Sequence, residues 1–154
     1  MQAGDIDDDG DADLLFRYPD SRLTYAWLID NGTLQSFLPI TGGSLLGPEW
    51  EGRGVAVHIG DGNGDLFLRN KDTGALFCWF LDGNTLVGGN QVGYNPGLSV
   101  DLASAQDLDG DGTADLLWKD ANGNTVYAWI LDGLNFSSGG VLETLSPGGT
   151  IIKP

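Results

Sequence analysis

The segment DLDGDGTADLLWKDANGNTVYAWILDG, residues 107–133, joins an aspartate-rich loop to two apolar runs that are separated by a turn. Similar segments occur at 5–32 and, in a degraded form, at 61–84. The tryptophan of the second apolar run recurs with spacings of 52 and 50 residues, at Trp27, Trp79 and Trp129. Self-similarity at a fixed period is the signature of a repeat protein. The sequence therefore predicts one module of three repeats of about 51 residues, with approximate bounds 1–52, 53–102 and 103–154.

Each repeat contains four short runs that are typical of β-strands. An entry strand is followed by runs such as DLLFR and TYAWLID, and then by a weaker strand near 34–40, 85–92 or 136–145. Gly, Asn and Asp separate the runs, as they do in hairpins. The tryptophan run is apolar on both faces, so both faces should be covered, with Trp27, Trp79, Trp129 and Trp118 in the core. We predict an all-β fold of four-stranded antiparallel sheets stacked as β-propeller blades.

The two ends of the chain fall at the same phase of the repeat, because SPGGTII at 146–152 aligns with NPGLSVD at 95–101. Propellers usually have four to eight blades, so three blades do not close a ring. Head-to-tail self-association would cover the open ends. We expect a homodimer that closes six blades. An open filament and a fragment of a longer propeller remain the alternatives.

The charge of the chain limits its partners. The formal net charge is −15, and the acidic residues are 19 Asp and only 3 Glu. A nucleic-acid backbone requires a basic surface, so nucleic-acid binding is not expected. No apolar run is long enough to span a bilayer, so membrane insertion is not expected either. The excess of Asp over Glu favours turns and short metal-ligand arms.

Two loops carry the residue types that Ca²⁺ prefers. Carboxylates at positions one, three, five and nine of a tight, Gly-containing loop converge on one point, and position seven can offer its backbone carbonyl. The candidate ligands are Asp5, Asp7, Asp9, Asp11 and Asp13 in the first loop and Asp107, Asp109, Asp111, Thr113 and Asp115 in the third. An EF-hand would need Glu at position twelve, where Phe16 and Trp118 stand instead. Solvated acidic turns are the alternative interpretation, since Asp-Gly is also a hairpin signal.

The second loop, VHIGDGNGD, is degenerate. Val57 and Ile59 replace the carboxylates of positions one and three. Its remaining candidate ligands are Asp61, Asn63 and Asp65. We therefore expect a weak or empty site in the second loop.

At 107–133, and again at 5–32 and 61–84, the chain resembles the FG-GAP/VCBS-type repeats, which are the blades of integrin-α-like propellers. The resemblance implies a β-propeller with Ca²⁺ in a blade-edge loop. It also implies an extracellular or cell-surface role in adhesion or recognition. Carried over by position, the implied ligands are Asp5, Asp7, Asp9, Asp13, Asp107, Asp109, Asp111 and Asp115. The literal FG and GAP strings are missing, so the likeness is to the bacterial branch of these repeats.

No catalytic constellation is evident in the sequence. The one histidine, His58, is expected to pack in a core or a turn, and the one cysteine, Cys78, is expected to be buried. We therefore expect a non-enzymatic binding or adhesion module for a protein or glycan, with a head-to-tail structural protein and a lectin as alternatives. Trp50 and Tyr94 lie in linking segments and are candidate ligand contacts. Asn31 and Asn135 begin N-glycosylation sequons.

Overall fold

The computed structural model describes residues 1–18, 21–42, 46–58, 60–121 and 124–144. Over these residues the chain forms β-strands and no helix, so the all-β prediction is confirmed. The strands are β1 (Gln2–Gly4), β2 (Asp13–Tyr18), β3 (Leu23–Asp30), β4 (Thr33–Pro39), β5 (Trp50–Val57), β6 (Gly64–Asn70), β7 (Leu76–Asp82), β8 (Thr85–Gln91), β9 (Val100–Gln106), β10 (Asp115–Asp120), β11 (Thr125–Asp132) and β12 (Asn135–Thr144). The described part of the chain accordingly offers no apolar helix that could cross a membrane.

The strands form three four-stranded antiparallel sheets, and each sheet holds one copy of the sequence motif. Sheet 1 has the order β1-β2-β3-β4, sheet 2 the order β5-β6-β7-β8, and sheet 3 the order β9-β10-β11-β12. The two central strands pair in the same register in every sheet. The equivalent pairs are Leu14 with Trp27, Leu66 with Trp79, and Leu116 with Trp129. Because a slip of one residue would turn every side chain to the other face, this shared register places equivalent residues on equivalent faces.

The apolar core lies between the sheets, in two clusters. The first cluster joins sheets 1 and 2, and its buried residues include Leu15, Ala26, Leu66 and Leu68. The second cluster joins sheets 2 and 3, and its buried residues include Phe67, Cys78, Leu116 and Trp118. Sheet 2 therefore has both faces covered, which is why its strand β6 is buried along its whole length.

The first strands of the three sheets lie next to one another, in the order β1, β5, β9. Their close approach requires small residues. A Cβ atom on Gly4 would lie 2.7 Å from Val55 Cγ1, and one on Gly54 would lie 3.2 Å from Ala105 Cβ. The three sheets are thus arranged in sequence order, with their first strands in contact, and they do not close into a ring over the described residues.

The predicted core residues are partly confirmed. Trp118 is buried, as are His58 and Cys78. Trp79 and Trp129 are half-buried and pack against the core clusters. Trp27 is also half-buried, but it belongs to neither cluster, because no other sheet of the described residues packs on its face of sheet 1. Segment 145–154, which carries the phase match between the chain ends, lies outside the described residues.

Candidate cation-binding loops

The three aspartate loops occupy the same place in each sheet, between its first and second strands, and they share two left-handed backbone positions. Positions four and six of every loop have φ in the left-handed region. The angles are 59° at Asp8, 91° at Gly10, 72° at Gly60, 94° at Gly62, 86° at Gly110 and 88° at Gly112. Glycine adopts this conformation without the steric cost that a Cβ atom imposes. The degenerate second loop therefore has its left-handed residues at the same two positions as the other loops.

The carboxylate at position nine is a structural element in all three loops. Asp13, Asp65 and Asp115 are each fully buried. Each accepts one backbone N–H from position two of its own loop and another from the third strand of its sheet. The donors are Ile6 (2.8 Å) and Ile29 (2.7 Å), His58 (3.0 Å) and Leu81 (3.0 Å), and Leu108 (2.9 Å) and Leu131 (2.9 Å). Two donors to one buried carboxylate stabilise its charge and fasten the loop to the sheet.

The sequence analysis treats position nine only as a metal ligand and misses this role. A signal for it is nevertheless present in the sequence. The second loop has lost the acids of positions one and three but has kept Asp65. A position-nine carboxylate in a loop that lacks the acids of positions one and three is consistent with a function besides metal binding. Ile59, the residue at position three of that loop, lies outside the described residues.

In the first loop, Asp5, Asp7 and Asp13 come together, with one carboxylate oxygen of each within 4.8 Å of the others. Asp5 accepts the N–H groups of Asp9 (3.2 Å) and Gly10 (3.0 Å). Oδ1 of Asp7 is buried and has no hydrogen-bond partner. Burial, and then the charges of Asp13, Asp9 and Asp5, raise the pKa of the Asp7 carboxyl. A buried, unpaired carboxylate oxygen beside two further carboxylates is the donor set that a hard divalent cation fits.

The other predicted ligands of the first loop lie apart from this cluster. Asp9 and Asp11 converge with Asp30, again within 4.8 Å. Asp9 accepts the N–H of Asp11 (2.8 Å), and Asp11 accepts the N–H of Asn31 (2.7 Å). The predicted set of five ligands is thus divided between two groups. Asp30, at the end of β3, was not among the candidates, although the Asp that follows each tryptophan strand is visible in the sequence.

In the third loop, Asp107, Asp109 and Asp115 converge within 4.8 Å. Asp107 accepts the N–H groups of Gly110 (2.6 Å) and Gly112 (3.0 Å), and these bonds lower the pKa of its carboxyl. Asp111 lies outside the group. Its carboxylate accepts the backbone N–H and the hydroxyl of Thr113, both at 2.7 Å. The third loop can therefore gather three carboxylates around one point, but several of their oxygens already accept backbone hydrogen bonds.

In the second loop, Asp61 accepts the N–H of Asn63 (3.1 Å), and Asp65 is buried in its structural role. The described residues of this loop form no three-carboxylate cluster. Position two is His58, whose ring packs edge-on against Phe67 and stacks with Phe80, with centroids 5.5 and 6.2 Å away. Burial lowers the pKa of the His58 imidazole.

The remaining candidate residues lie away from the loops. Trp50 is half-buried and contacts Phe77, with ring centroids 6.3 Å apart. Tyr94 is 56% exposed, although its ring contacts Trp129. Asn31 and Asn135 are exposed beside the turns that precede β4 and β12, and their glycosylation stays a prediction.

Comparison with models of known protein families gives no match, and comparison with curated proteins gives no relative. The chemistry of the loops must therefore be argued from their own residues. The first loop has the most complete arrangement, because three carboxylates converge there and one of their oxygens is buried without a partner.

Proposed function

We propose that this chain is a Ca²⁺-stabilised, non-catalytic recognition or adhesion module built from propeller-type blades, and that it acts outside the cell or at the cell surface. The observation that carries the proposal is Oδ1 of Asp7, which is buried without a hydrogen bond next to the carboxylates of Asp5 and Asp13. The extracellular location and the recognition role follow from the resemblance to FG-GAP/VCBS-type repeats.

The physical case for the cation is a balance of charges. Removing an ionised carboxylate from water is unfavourable unless hydrogen bonds or an opposite charge compensate it. Asp5 and Asp13 have backbone donors, whereas Oδ1 of Asp7 has none. A Ca²⁺ ion would bind the unpaired oxygen of Asp7 and the remaining lone pairs of the Asp5 and Asp13 carboxylates, and it would cancel their mutual repulsion. Its binding free energy would then add to the stability of the fold.

Two observations support a non-catalytic role. The imidazole of His58 is enclosed between aromatic rings, which keeps it from serving as an accessible base. The thiol of Cys78 is fully buried, and burial raises its pKa, so it is a poor nucleophile. The two residue types that most often supply a base or a nucleophile are therefore committed to the core.

The ligand class we propose is a protein or a glycan that is bound by exposed turns and linking segments. Tyr94 is the most exposed aromatic candidate, because more than half of it faces solvent. A glycan array with the wild-type chain and Tyr94→Ala tests the lectin alternative. Binding that the substitution abolishes would assign a sugar ligand to this segment, whereas an empty array would favour a protein ligand.

The cation is tested by calorimetric titration of chelator-treated protein with CaCl₂, together with thermal melts in Ca²⁺ and in chelator. We expect saturable binding and a higher melting temperature in Ca²⁺. Asp7→Asn should abolish binding at the first loop, because the amide supplies one oxygen and no charge. In chelator, the same variant should melt above the wild type, because it removes a negative charge that the carboxylates of Asp5 and Asp13 repel.

Asp72→Asn is the charge-matched control. Asp72 is exposed in the β6–β7 turn and belongs to none of the carboxylate clusters. We expect it to leave Ca²⁺ binding at the first loop unchanged. If Asp7→Asn and Asp72→Asn lowered Ca²⁺ affinity equally, the change would come from the net charge of the protein and not from a site at the first loop. A wild-type protein whose melting temperature is the same in Ca²⁺ and in chelator would overturn the proposed function.

A further inference from the structure

Each sheet has two apolar faces, and the contacts between sheets pair them in a fixed sense. The leading face of sheet 2 packs on the trailing face of sheet 1, and the leading face of sheet 3 packs on the trailing face of sheet 2. The leading faces of sheets 2 and 3 contain Leu66, Leu68, Phe77 and Trp79, and Leu116, Trp118, Tyr127 and Trp129. The trailing faces that cover them contain Leu15, Ala26 and Leu28, and Phe67, Cys78 and Phe80. One interface is therefore used twice within the chain.

Among the described residues, two faces of this kind have no sheet packed against them, one on sheet 1 and one on sheet 3. The leading face of sheet 1 carries a group of rings in mutual contact, with centroids 4.8 to 6.1 Å apart, formed by Phe16, Tyr18, Tyr25, Trp27 and Phe37. Tyr18 is 50% exposed and Phe37 is 45% exposed. The trailing face of sheet 3 carries Leu117 and Ile130, which are half-buried and belong to neither core cluster. An exposed apolar patch such as the group of rings on sheet 1 marks an interaction surface.

A basic residue near the end of the second strand binds the backbone at the start of the next sheet in sheets 1 and 2, but not in sheet 3. Arg17 donates to the backbone carbonyls of Leu46, Gly47 and Trp50, in the segment that leads to sheet 2. Arg69 donates to the carbonyls of Gly97 and Val100, and its guanidinium lies 5.1 Å from the ring of Trp118 in sheet 3. The equivalent residue of sheet 3 is Lys119, whose side chain forms no hydrogen bond or ion pair with the described part of the chain.

Residue size is also complementary between the two end faces. On the leading faces of sheets 2 and 3, the outer strand has Gly89 and Gly139 opposite the tryptophan, whereas sheet 1 has Phe37 there. On the trailing faces, the outer strands of sheets 1 and 2 have Leu38 and Asn90, whereas sheet 3 has Gly140. A Cβ atom on Gly140 would have no neighbour within 4 Å. In the interior interfaces the leading face has the small residue and the trailing face has the larger one. At the end faces the order is reversed, with the large residue on the leading face of sheet 1 and the small residue on the trailing face of sheet 3.

We propose that the leading face of sheet 1 binds the trailing face of sheet 3 of a second copy of this chain, with Phe37 over the partner's Gly140 and Phe16 beside the partner's Lys119. The occupant is a second copy because this interface is the one that the chain already forms twice. Such a contact is heterologous, so each copy has one face of each kind. Two copies that bind each other through both faces leave neither face exposed. The pairing does not rest on the cation site, and Asp7→Asn should retain it.

The test is the mass in solution, from light scattering and sedimentation over a wide range of concentrations. We expect twice the chain mass. Phe37→Arg and Gly140→Arg should each give a monomer, because each places a charged side chain in the contact. Both positions are exposed, and Gly140 is outside the left-handed φ region, so neither variant should unfold the monomer. Leu98→Arg, at an exposed position outside both faces, is the control and should remain associated.

Mixing the two monomeric variants distinguishes this pairing from others. Phe37→Arg keeps an intact trailing face and Gly140→Arg keeps an intact leading face, so their mixture should form a one-to-one heterodimer. If the wild type forms species larger than a dimer, and each substitution abolishes them, the pairing is also supported, because the same contact then forms an open chain of copies. A monomeric wild type would overturn it. So would a Gly140→Arg variant that still self-associates, because two leading faces would then be binding each other. A monomer that binds glycans through its aromatic face would overturn it as well.

Discussion

The first and second aspartate loops share their left-handed positions and their buried position-nine carboxylate, but they differ in how many acidic side chains they bring together. Both place positions four and six in the left-handed region and fasten the loop with a buried carboxylate at position nine. The first loop, however, gathers three carboxylates within 4.8 Å, and the described residues of the second loop do not. The shape of the loop therefore does not require the clustered charge. The extra acids of the first loop make its fold harder to form unless a cation is present, which is the expected cost of a binding site.

The strongest test of this comparison is the carboxylate that both loops share. Asp65→Ala removes both acceptors and leaves the N–H groups of His58 and Leu81 unpaired in the interior. Each unsatisfied buried donor costs about 1–3 kcal/mol, so the free energy of unfolding should fall by several kcal/mol. Urea denaturation followed by tryptophan fluorescence measures the change.

Asp65→Asn is the graded variant, because it keeps one acceptor oxygen and should lose less stability than Asp65→Ala. Asp61→Ala is the control, since Asp61 is exposed and accepts only the N–H of Asn63. In chelator, Asp13→Ala should cost about as much as Asp65→Ala. In Ca²⁺ it should cost more, because the cation is lost as well. Similar losses for Asp61→Ala and Asp65→Ala would contradict the structural role of position nine.

A smaller effect is expected at position two, where the second loop has His58 and the other loops have Ile6 and Leu108. Burial lowers the pKa of His58 from its usual value of 6.5. As the pH falls through 6.5, the unfolded chain binds a proton that the folded chain does not. The free energy of unfolding therefore falls toward acid pH, by about 1.4 kcal/mol for each unit by which folding lowers the pKa.

His58→Leu should flatten this part of the pH profile, because leucine does not titrate and already occupies the equivalent position 108. The measurement is the urea midpoint of both proteins between pH 8 and pH 5, in chelator. The carboxylates titrate in both proteins, so their contribution cancels in the difference between the two profiles. Parallel profiles would show that His58 is not buried in its neutral form.

The sequence predicted the features that the backbone determines, such as the strands, better than the features that side-chain hydrogen bonds determine, such as the grouping of the loop carboxylates. The strands of each sheet could be predicted from the apolar runs that contain Trp27, Trp79 and Trp129 and from the turn residues between the runs. This was possible because hydrophobic period and turn chemistry determine strand pairing. The division of the loop acids did not follow. The carboxylate of Asp111 accepts hydrogen bonds from Thr113, and Asp11 bonds to Asn31, and such local bonds compete with a shared ligand sphere.

The smallest predicted effect concerns position four, where the first loop has Asp8 and the other loops have Gly60 and Gly110. At φ 59° the aspartate has a steric cost of about 1–2 kcal/mol. Glycine avoids that cost but loses about 0.5–1 kcal/mol more conformational freedom on folding, so Asp8→Gly should raise the free energy of unfolding by about 1 kcal/mol at most. Asp8 is outside the cluster of Asp5, Asp7 and Asp13, so Ca²⁺ affinity should change little.

The reciprocal variant Gly110→Asp should lower stability by a similar amount, since a Cβ atom on Gly110 has no neighbour within 4 Å and only the backbone conformation opposes it. Urea midpoints of the two variants, measured in chelator and in Ca²⁺, make the comparison. Opposite shifts of similar size would show that the first and third loops share one backbone. If Gly110→Asp instead raised the free energy of unfolding, the charge or the hydrogen bonds of an aspartate at position four would outweigh its steric cost. The left-handed backbone would then not explain why two of the three loops have glycine there.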